Sequence, residues 1–435
     1  MSEALPAHSP VGASAAKRLL ACPLSVGPGV PGIEDDESDD AALGTAVHEM
    51  IAEAFNTKVA AWQLIGRPYY NIIATKSMST GAQVMLDAVR RAHPYRDQSN
   101  FFVEKKFHCP TIHPLFFGTC DCLYLAEGQS LEVARDWVRY GASAKAAALV
   151  ARAGKDRVFC IIHVWDYKNG AGVIIEVQEN EQTQYYACGA LEHFNWWVKA
   201  DLVVLHIVQP NGFHPDGRVR HWATTPDELA AWLEDTLVPG IDRAMTSNEA
   251  VSGPHCNFCP KRFGACPALM ADMDELEALM QQVEKVGVDA LTPAQLGRLL
   301  DLWKRADIVG KAGLKTGFGM LNAGHAIPGW KLVHAKADRI WKEGAEEKAK
   351  AAFGADAMSP SKLKSPARIE ELPLGTAFTT EWAQKPATGL TLAPASDKRR
   401  EVSRDTKSLF TPVGTEEKAT VSAPILAPAK RRSSI

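Results

Sequence analysis

The sequence predicts an α/β fold, a mixed sheet with helices packed on its faces, and three observations carry that expectation. Segments 101–108, 117–125, 158–167 and 202–208 are apolar or alternating and of strand length. Stretches with a 3.6-residue apolar repeat stand before and between them. The order helix, three strands, helix, strand suits a sheet covered by helices, and no segment repeats internally.

Bulk properties narrow the function classes. At 435 residues and 46% hydrophobic, the chain is long enough to bury one large core or two smaller ones. A formal net charge of -3 excludes a global positive field, so any nucleic-acid binding needs a local basic patch. No basic segment followed by an apolar run opens the chain, and no uninterrupted apolar stretch is long enough to cross a bilayer. The expectation is a cytoplasmic protein with no membrane partner. Nine cysteines, an odd number spread over a long chain, do not read as a secreted disulfide framework. Where they cluster, they suggest a metal.

Taken in order, 14–20 reads as a short helix with Ser14 as its N-cap, ended by Cys22-Pro23. Segment 27–40, rich in Gly, Pro and acid, reads as a mobile loop. Val47, Met50, Ile51 and Phe55 form the apolar stripe of a helix over 41–55, with His48 beside the stripe, and 78–92 is a second helix. Strand 101–108 has 117–125 as its partner, with Asp121 between Cys120 and Cys122. An insertion, 131–157, follows, with a helix over 142–153 stopped by Gly154. Strand 158–167 then turns through Asn169-Gly170 into 173–177. A helix over 181–199 sets Gln182 and Tyr186 on one face. After strand 202–208, Thr225-Pro226-Asp227-Glu228 opens a helix as a capping box. Helices over 269–286 and from 292 towards 313 precede a late strand at 327–334. From about 386 the aperiodic Ala, Pro, Thr, Lys and Ser composition reads as a disordered tail.

The chemistry concentrates in Asp166-Tyr167-Lys168. On a strand, residues two apart share a face, so a carboxylate and an amine project together while Tyr167 points away. The carboxylate suits a hard divalent cation and the amine suits a charged phosphate. An isolated Asp-x-Lys is more often exposed strand charge. Asp121, in a strand of small and apolar neighbours, needs an explanation, since an unpaired buried carboxylate is costly, and His48 adds an imidazole from a helix over the sheet. Together these donors would suit Mg2+ or Mn2+. Cys256-x-x-Cys259-x6-Cys266, with Cys22 far upstream, offers four thiols; spacing alone leaves structural zinc and an iron-sulfur cluster both open. The other cysteines read as ordinary buried thiols.

Gly44-Thr45-Ala46-Val47-His48, Gly118-Thr119-Cys120-Asp121, Asp166-Tyr167-Lys168 and Gln182-x-x-x-Tyr186 together resemble the successive motifs of RecB-type nucleases of the PD-(D/E)XK superfamily. The resemblance implies a restriction-endonuclease-like core and a metal-dependent DNA exonuclease. It implies His48, Asp121, Asp166 and the Tyr167 carbonyl as metal ligands, Lys168 as catalytic lysine, and Gln182 and Tyr186 beside the site. Asp166 stands where many members have Glu. One cysteine before these motifs and three after them resembles the iron-sulfur members, which implies a 4Fe-4S cluster on Cys22, Cys256, Cys259 and Cys266. With Ile327-Pro328-Gly329-Trp330-Lys331 and Arg339-Ile340-Trp341, the chain resembles phage-encoded RecB-like proteins from about 14 to 341. That implies DNA recombination or replication in the host-cell cytoplasm, with a recombinase or single-strand-binding protein as partner. A catalytically inactive DNA-binding or assembly module with the same fold is the competing expectation. The expected division is a nuclease domain with the cysteine cluster over 1–268, a helical region with a short strand over 269–345, and a tail over 346–435.

Overall fold

The computed structural model describes residues 9–27, 39–94, 98–170, 172–264, 266–334, 340–342, 344–359, 362–370, 372, 374–384, 390–394 and 401–402. The expected loop at 27–40 lies almost wholly outside them. The chain divides into two units, Met1–Ala312 and Gly313–Ile435, so the division falls inside a helix and not at 268 or 345.

In the first unit, α1 (Ala13–Ala21) and α2 (Asp39–Asn56) precede a small hairpin, β1 (Pro68–Tyr69) and β2 (Ile72–Ile73), then α3 (Lys76–Ala92). Strands β3 (Phe101–His108) and β4 (Phe117–Ser130) lead into α4 (Leu131–Arg139) and α5 (Ala144–Ala151). Next come β5 (Val158–Tyr167), α6 (Glu181–His193), β6 (Leu202–Val208), β7 (Val219–Thr224), α7 (Pro226–Trp232) and α8 (Val238–Thr246). Helices α9 (Pro267–Val286) and α10 (Pro293–Asn322) follow.

The sheet order is β3-β4-β5-β6-β7, antiparallel throughout except for the parallel pair β5 and β6. A parallel pair needs a crossover, and α6 supplies it. The protein is therefore a mixed α/β fold with a five-stranded mixed sheet flanked by helices. On one face Cys122, Trp165, Tyr167 and Val208 pack against the stripes of α2 and α3. On the other, Leu123, Leu125, Ile162, Val164, Val203 and Leu205 pack with Leu19 of α1, Leu191 of α6 and Ile241 of α8. Full burial of each such side chain contributes about 1.5–3 kcal/mol. Close approach of α6 to β3 requires Gly189, where an added Cβ would fall 2.2 Å from the Phe107 ring.

Helix starts follow capping chemistry. Thr75, Ser130, Ser143 and Asn180 accept the N–H three residues on, and Thr225 with Glu228 makes the expected reciprocal box. At α1, however, the N-cap is Gly12, and Ser14 lies inside the first turn.

Three expectations are corrected. The helix expected over 142–153 spans only Ala144–Ala151, and α4 precedes it in the insertion. No strand forms at 173–177; Gln209 accepts from the Ile175 N–H and donates to the carbonyls of Gly170 and Val173, so a side chain takes the place of a ladder. The helix expected over 181–199 ends at His193.

In the second unit, β8 (Trp330–His334) pairs antiparallel with Leu390–Pro394. The expectation of an unstructured tail from 346 is corrected in part, since helices span Ala345–Phe353, Pro366–Ile369 and Gly375–Trp382. Trp341 packs on Phe378 and donates to the Lys364 carbonyl, the behaviour of a packed aromatic. Arg339 and residues 403–435 lie outside the described residues.

Candidate active site and metal centre

The register of the sheet builds the site. Val103 pairs with Cys122 and Lys105 with Cys120, which sets Glu104 against Asp121. Cys122 pairs with Trp165, and continuing that antiparallel register sets Asp121 against Asp166. Three carboxylates therefore form a row across β3, β4 and β5. Cys120 belongs to the core on one side of the sheet and Cys122 to the core on the other, so alternation breaks at Asp121, whose carboxylate reaches across to the Tyr167 N–H beside Asp166. The row sits where β4 begins and β5 ends.

His48 comes from α2 and brings Nδ1 to 3.4 Å from Asp121 Oδ1, with its ring edge-on to Tyr167. The other Asp121 oxygen accepts the Tyr167 N–H at 2.7 Å. One donor atom each from His48, Glu104 and Asp121 lies within 4.8 Å of the others. Lys168 Nζ is 2.9 Å from Asp166 Oδ2 and donates to Gln182 Oε1 at 2.7 Å. Gln182 Nε2 in turn donates to the Tyr186 hydroxyl at 3.1 Å. The i, i+4 spacing on α6 thus holds the lysine from behind. All the motif residues expected at one place are brought together there.

Burial pulls the His48 imidazole down, but Asp121, Glu104 and Asp166 outweigh it and raise it to about 9. For Asp121 burial pushes upward, yet His48, the Tyr167 N–H and Lys168 hold it below the ordinary carboxylate value. Asp166 goes the other way, to about 6, because burial and Asp121 exceed the help from Lys168 and His48. Removal from water, reinforced by Asp121, raises Glu104 to about 7. These are carboxylates held close together with less positive charge than they need.

Glu104 escaped the sequence reading. It adopts φ +47°, a left-handed conformation that costs a residue with a Cβ about 1 kcal/mol or more. The break of alternation at Glu104-Lys105-Lys106 was the available signal, readable once the strand register is counted from Asp121. The insertion leaves β4 after Ser130, and its first helix returns over the sheet face turned away from Asp166, where the Trp137 ring lies 5.3 Å from that of His206.

The four motif thiols also gather. Cys22 ends α1, and Cys256, Cys259 and Cys266 precede α9; all four are buried. Backbone N–H groups of Val251 and Gly253 donate to Cys22 Sγ and Cys256 Sγ at 3.4 and 3.3 Å. Burial lowers Lys261, against the pull of Cys259, Cys22 and Cys266. Burial raises Cys259, with Arg18 opposing and Cys256 and Cys22 reinforcing. Arg18 also donates to the Phe258 carbonyl, clamping α1 to the cysteine segment. Cys109, Cys120, Cys160 and Cys188 are held protonated by burial, as ordinary interior thiols are.

Among the described residues no helix is long and apolar enough to cross a membrane. Comparison with protein families finds a match over residues 8–150 and 158–400, and the chain thereby belongs to the family described as a protein of unknown function, DUF2800.

Proposed function

We propose that this protein is a divalent-metal-dependent deoxyribonuclease with a restriction-endonuclease-like core of the RecB type, acting from DNA ends. The observation that carries the reading is the convergence of His48, Asp121, Asp166 and Lys168, from separate segments, at one end of the sheet.

The donor set fits a hard cation. An imidazole nitrogen and carboxylate oxygens within 4.8 Å are suited to Mg2+ or Mn2+, and the raised Asp166 and Glu104 are groups that gain from added positive charge. His48, Glu104 and Asp121, whose donors close to within 4.8 Å, would hold the ion, and Asp166 would add a carboxylate beside them. In an extended chain a residue's N–H and C=O project to the same side, so the Tyr167 carbonyl also looks towards β4 and completes the proposed ligands. A cation bound there would acidify a coordinated water and offset charge on a phosphate. Lys168, fixed between Asp166 and Gln182, is placed to orient that water and to neutralise the phosphate oxygens. Tyr186 fixes Gln182.

The second part of the proposal is a 4Fe-4S cluster on Cys22, Cys256, Cys259 and Cys266. The choice of a cluster over structural Zn2+ rests on the sequence resemblance, and the four buried thiols supply its ligands. Joining residue 22 to residue 256 closes a long loop and would stabilise both ends together. A phage recombination or replication setting, with a recombinase or single-strand-binding partner in the host cytoplasm, rests on the sequence resemblance alone.

The test is digestion of end-labelled linear and circular DNA by anaerobically purified protein with Mg2+ or Mn2+. Linear DNA should shorten from its ends, circles should persist, and Lys168→Ala should remove activity with the circular-dichroism spectrum kept. Equal activity in the variant sinks the catalytic assignment, and binding without cleavage under every divalent ion leaves a non-catalytic module. Iron with labile sulfide in the preparation supports the cluster, and zinc without iron overturns it.

A further inference from the structure

The sheet face turned away from Asp166 carries a second gathering of titratable groups. His163 of β5 and His206 of β6 are each 1% exposed, and His163 Nδ1 lies 3.1 Å from His206 Nε2. His221 of β7 is the cross-strand partner of His206. His93, at the end of α3, is buried with its ring centroid 4.3 Å from that of His163. Trp165 stacks flat on His206 at 3.6 Å. Above them stands Trp137 of α4, with its ring 4.9, 5.3 and 5.2 Å from His163, His206 and His221.

A hydrogen bond between two imidazoles needs one neutral acceptor nitrogen. A proton on both rings sets N–H against N–H in a place without water. The charges acting on His163 and His206 come from the other imidazoles, so each proton taken up repels the next. The other titratable group facing them is Tyr124 of β4. From α4 and α5 the packed residues are Leu131, Ala134, Trp137, Ala146 and Val150. Their charged residues Glu132, Arg135, Asp136, Arg139 and Lys145 are exposed. No counterion from these helices stands over the rings.

We propose that this imidazole cluster is an acid-sensitive latch, in which proton uptake by His163 and His206 releases α4 and α5 from the sheet. The inference is independent of the nuclease reading. Burial and the neighbouring imidazoles hold His163 and His206 well below the ordinary histidine value, and burial lowers His221. A histidine lowered in the docked state favours docking fully above its released value of about 6.5 and loses that contribution as pH falls below it. One pH unit below, each imidazole that titrates normally when released weakens docking about 10-fold, and two weaken it up to about 100-fold.

The experiment is hydrogen exchange of the full chain near pH 7.5 and near pH 5.5, read as protection factors so that the intrinsic pH dependence cancels. Amides of α4 and α5 should lose at least about 10-fold of their protection at the lower pH while those of β5 and β6 keep theirs. In His163→Phe with His206→Phe, which keeps aromatic rings beneath Trp137 and against Trp165, that loss should disappear. Unchanged protection of α4 and α5 in the wild type overturns the latch. So does equal loss in β5 and β6, or a double variant as acid-sensitive as its parent. Should the double variant fail to fold, the histidine C2-proton titration of the wild type decides. A midpoint at the ordinary value with α4 and α5 still protected sinks the idea.

Discussion

The two faces of β5 treat ionisable side chains in opposite ways. Asp166 on one face is buried as part of a charged set, answered by Lys168 and coupled to Asp121 and His48. His163 on the other, three residues earlier, is buried among imidazoles and rings with no opposite charge acting on it. Burial penalises charge in both places. On the first face opposed charges and hydrogen bonds compensate, incompletely. On the second the groups stay neutral. The difference separates a site tuned to accept added positive charge from one that positive charge disrupts.

The largest expected effect tests the charged face through its amine. Lys168→Ala should lower DNA cleavage by roughly 10²–10⁴-fold, the range for a positioned charge or proton-handling group, measured as kcat/KM on linear DNA. A loss under threefold would show that the ammonium is only structural. Adding Mn2+ or Mg2+ comes next. An ion bound to the folded state alone stabilises it by about 2.7 kcal/mol at a hundred times its Kd, so Tm should rise with ion concentration. The same titration on Asp121→Asn should give little or no rise. On the imidazole face, neither ion should change protection of α4 or α5.

A smaller effect concerns the incomplete compensation of Asp166. Its carboxyl is raised to about 6, so at neutral pH the folded state holds an ionised group it disfavours. Raised carboxylates lose stability as pH climbs from the unfolded value towards the folded one. Asp166→Asn removes that penalty together with the Lys168 pair, and in ion-free buffer it should stabilise by about 1–2 kcal/mol at pH 7. Thermal unfolding of both proteins in chelator decides it. A variant less stable than wild type at pH 7 would mean that the Lys168 pair outweighs burial.

Legibility followed the same division. Strands at 158–167 and 202–208 are found where the sequence places them, because interior strands are written in unbroken apolar runs, and the edge strand at 101–108 was legible from its alternation. The edge strand β7 was not read, since it carries Arg220 and His221 within a short polar segment. Arg220 sits there because its guanidinium donates to the carbonyls of Gly217 and Ile175, a long-range arrangement that local patterning does not encode. Asp121 and Asp166 announced themselves as charges inside apolar strands, with Lys168 just past the end of β5. Glu104 did not, because two lysines beside it make the segment look like exposed charge. The four histidines at 93, 163, 206 and 221 share no motif; the sheet order brings three of them together and the packing of α3 adds His93.

The smallest effect isolates what the site leaves open. Gly44 is in the interior of α2, one turn before His48, and an added Cβ would meet nothing within 4 Å among the described residues. A helix-interior glycine costs about 0.5–1 kcal/mol relative to alanine, so packing among the described residues gives no reason for it. Gly44→Ala should therefore raise stability by up to about 1 kcal/mol, a shift of a few degrees in Tm at most. If the open space beside His48 is where a DNA strand approaches, the same methyl should raise KM on linear DNA several-fold with kcat little changed. A more stable variant with unaltered kinetics would move the path of the strand away from α2. A less stable one would show that the helix there is held by something other than its own propensity.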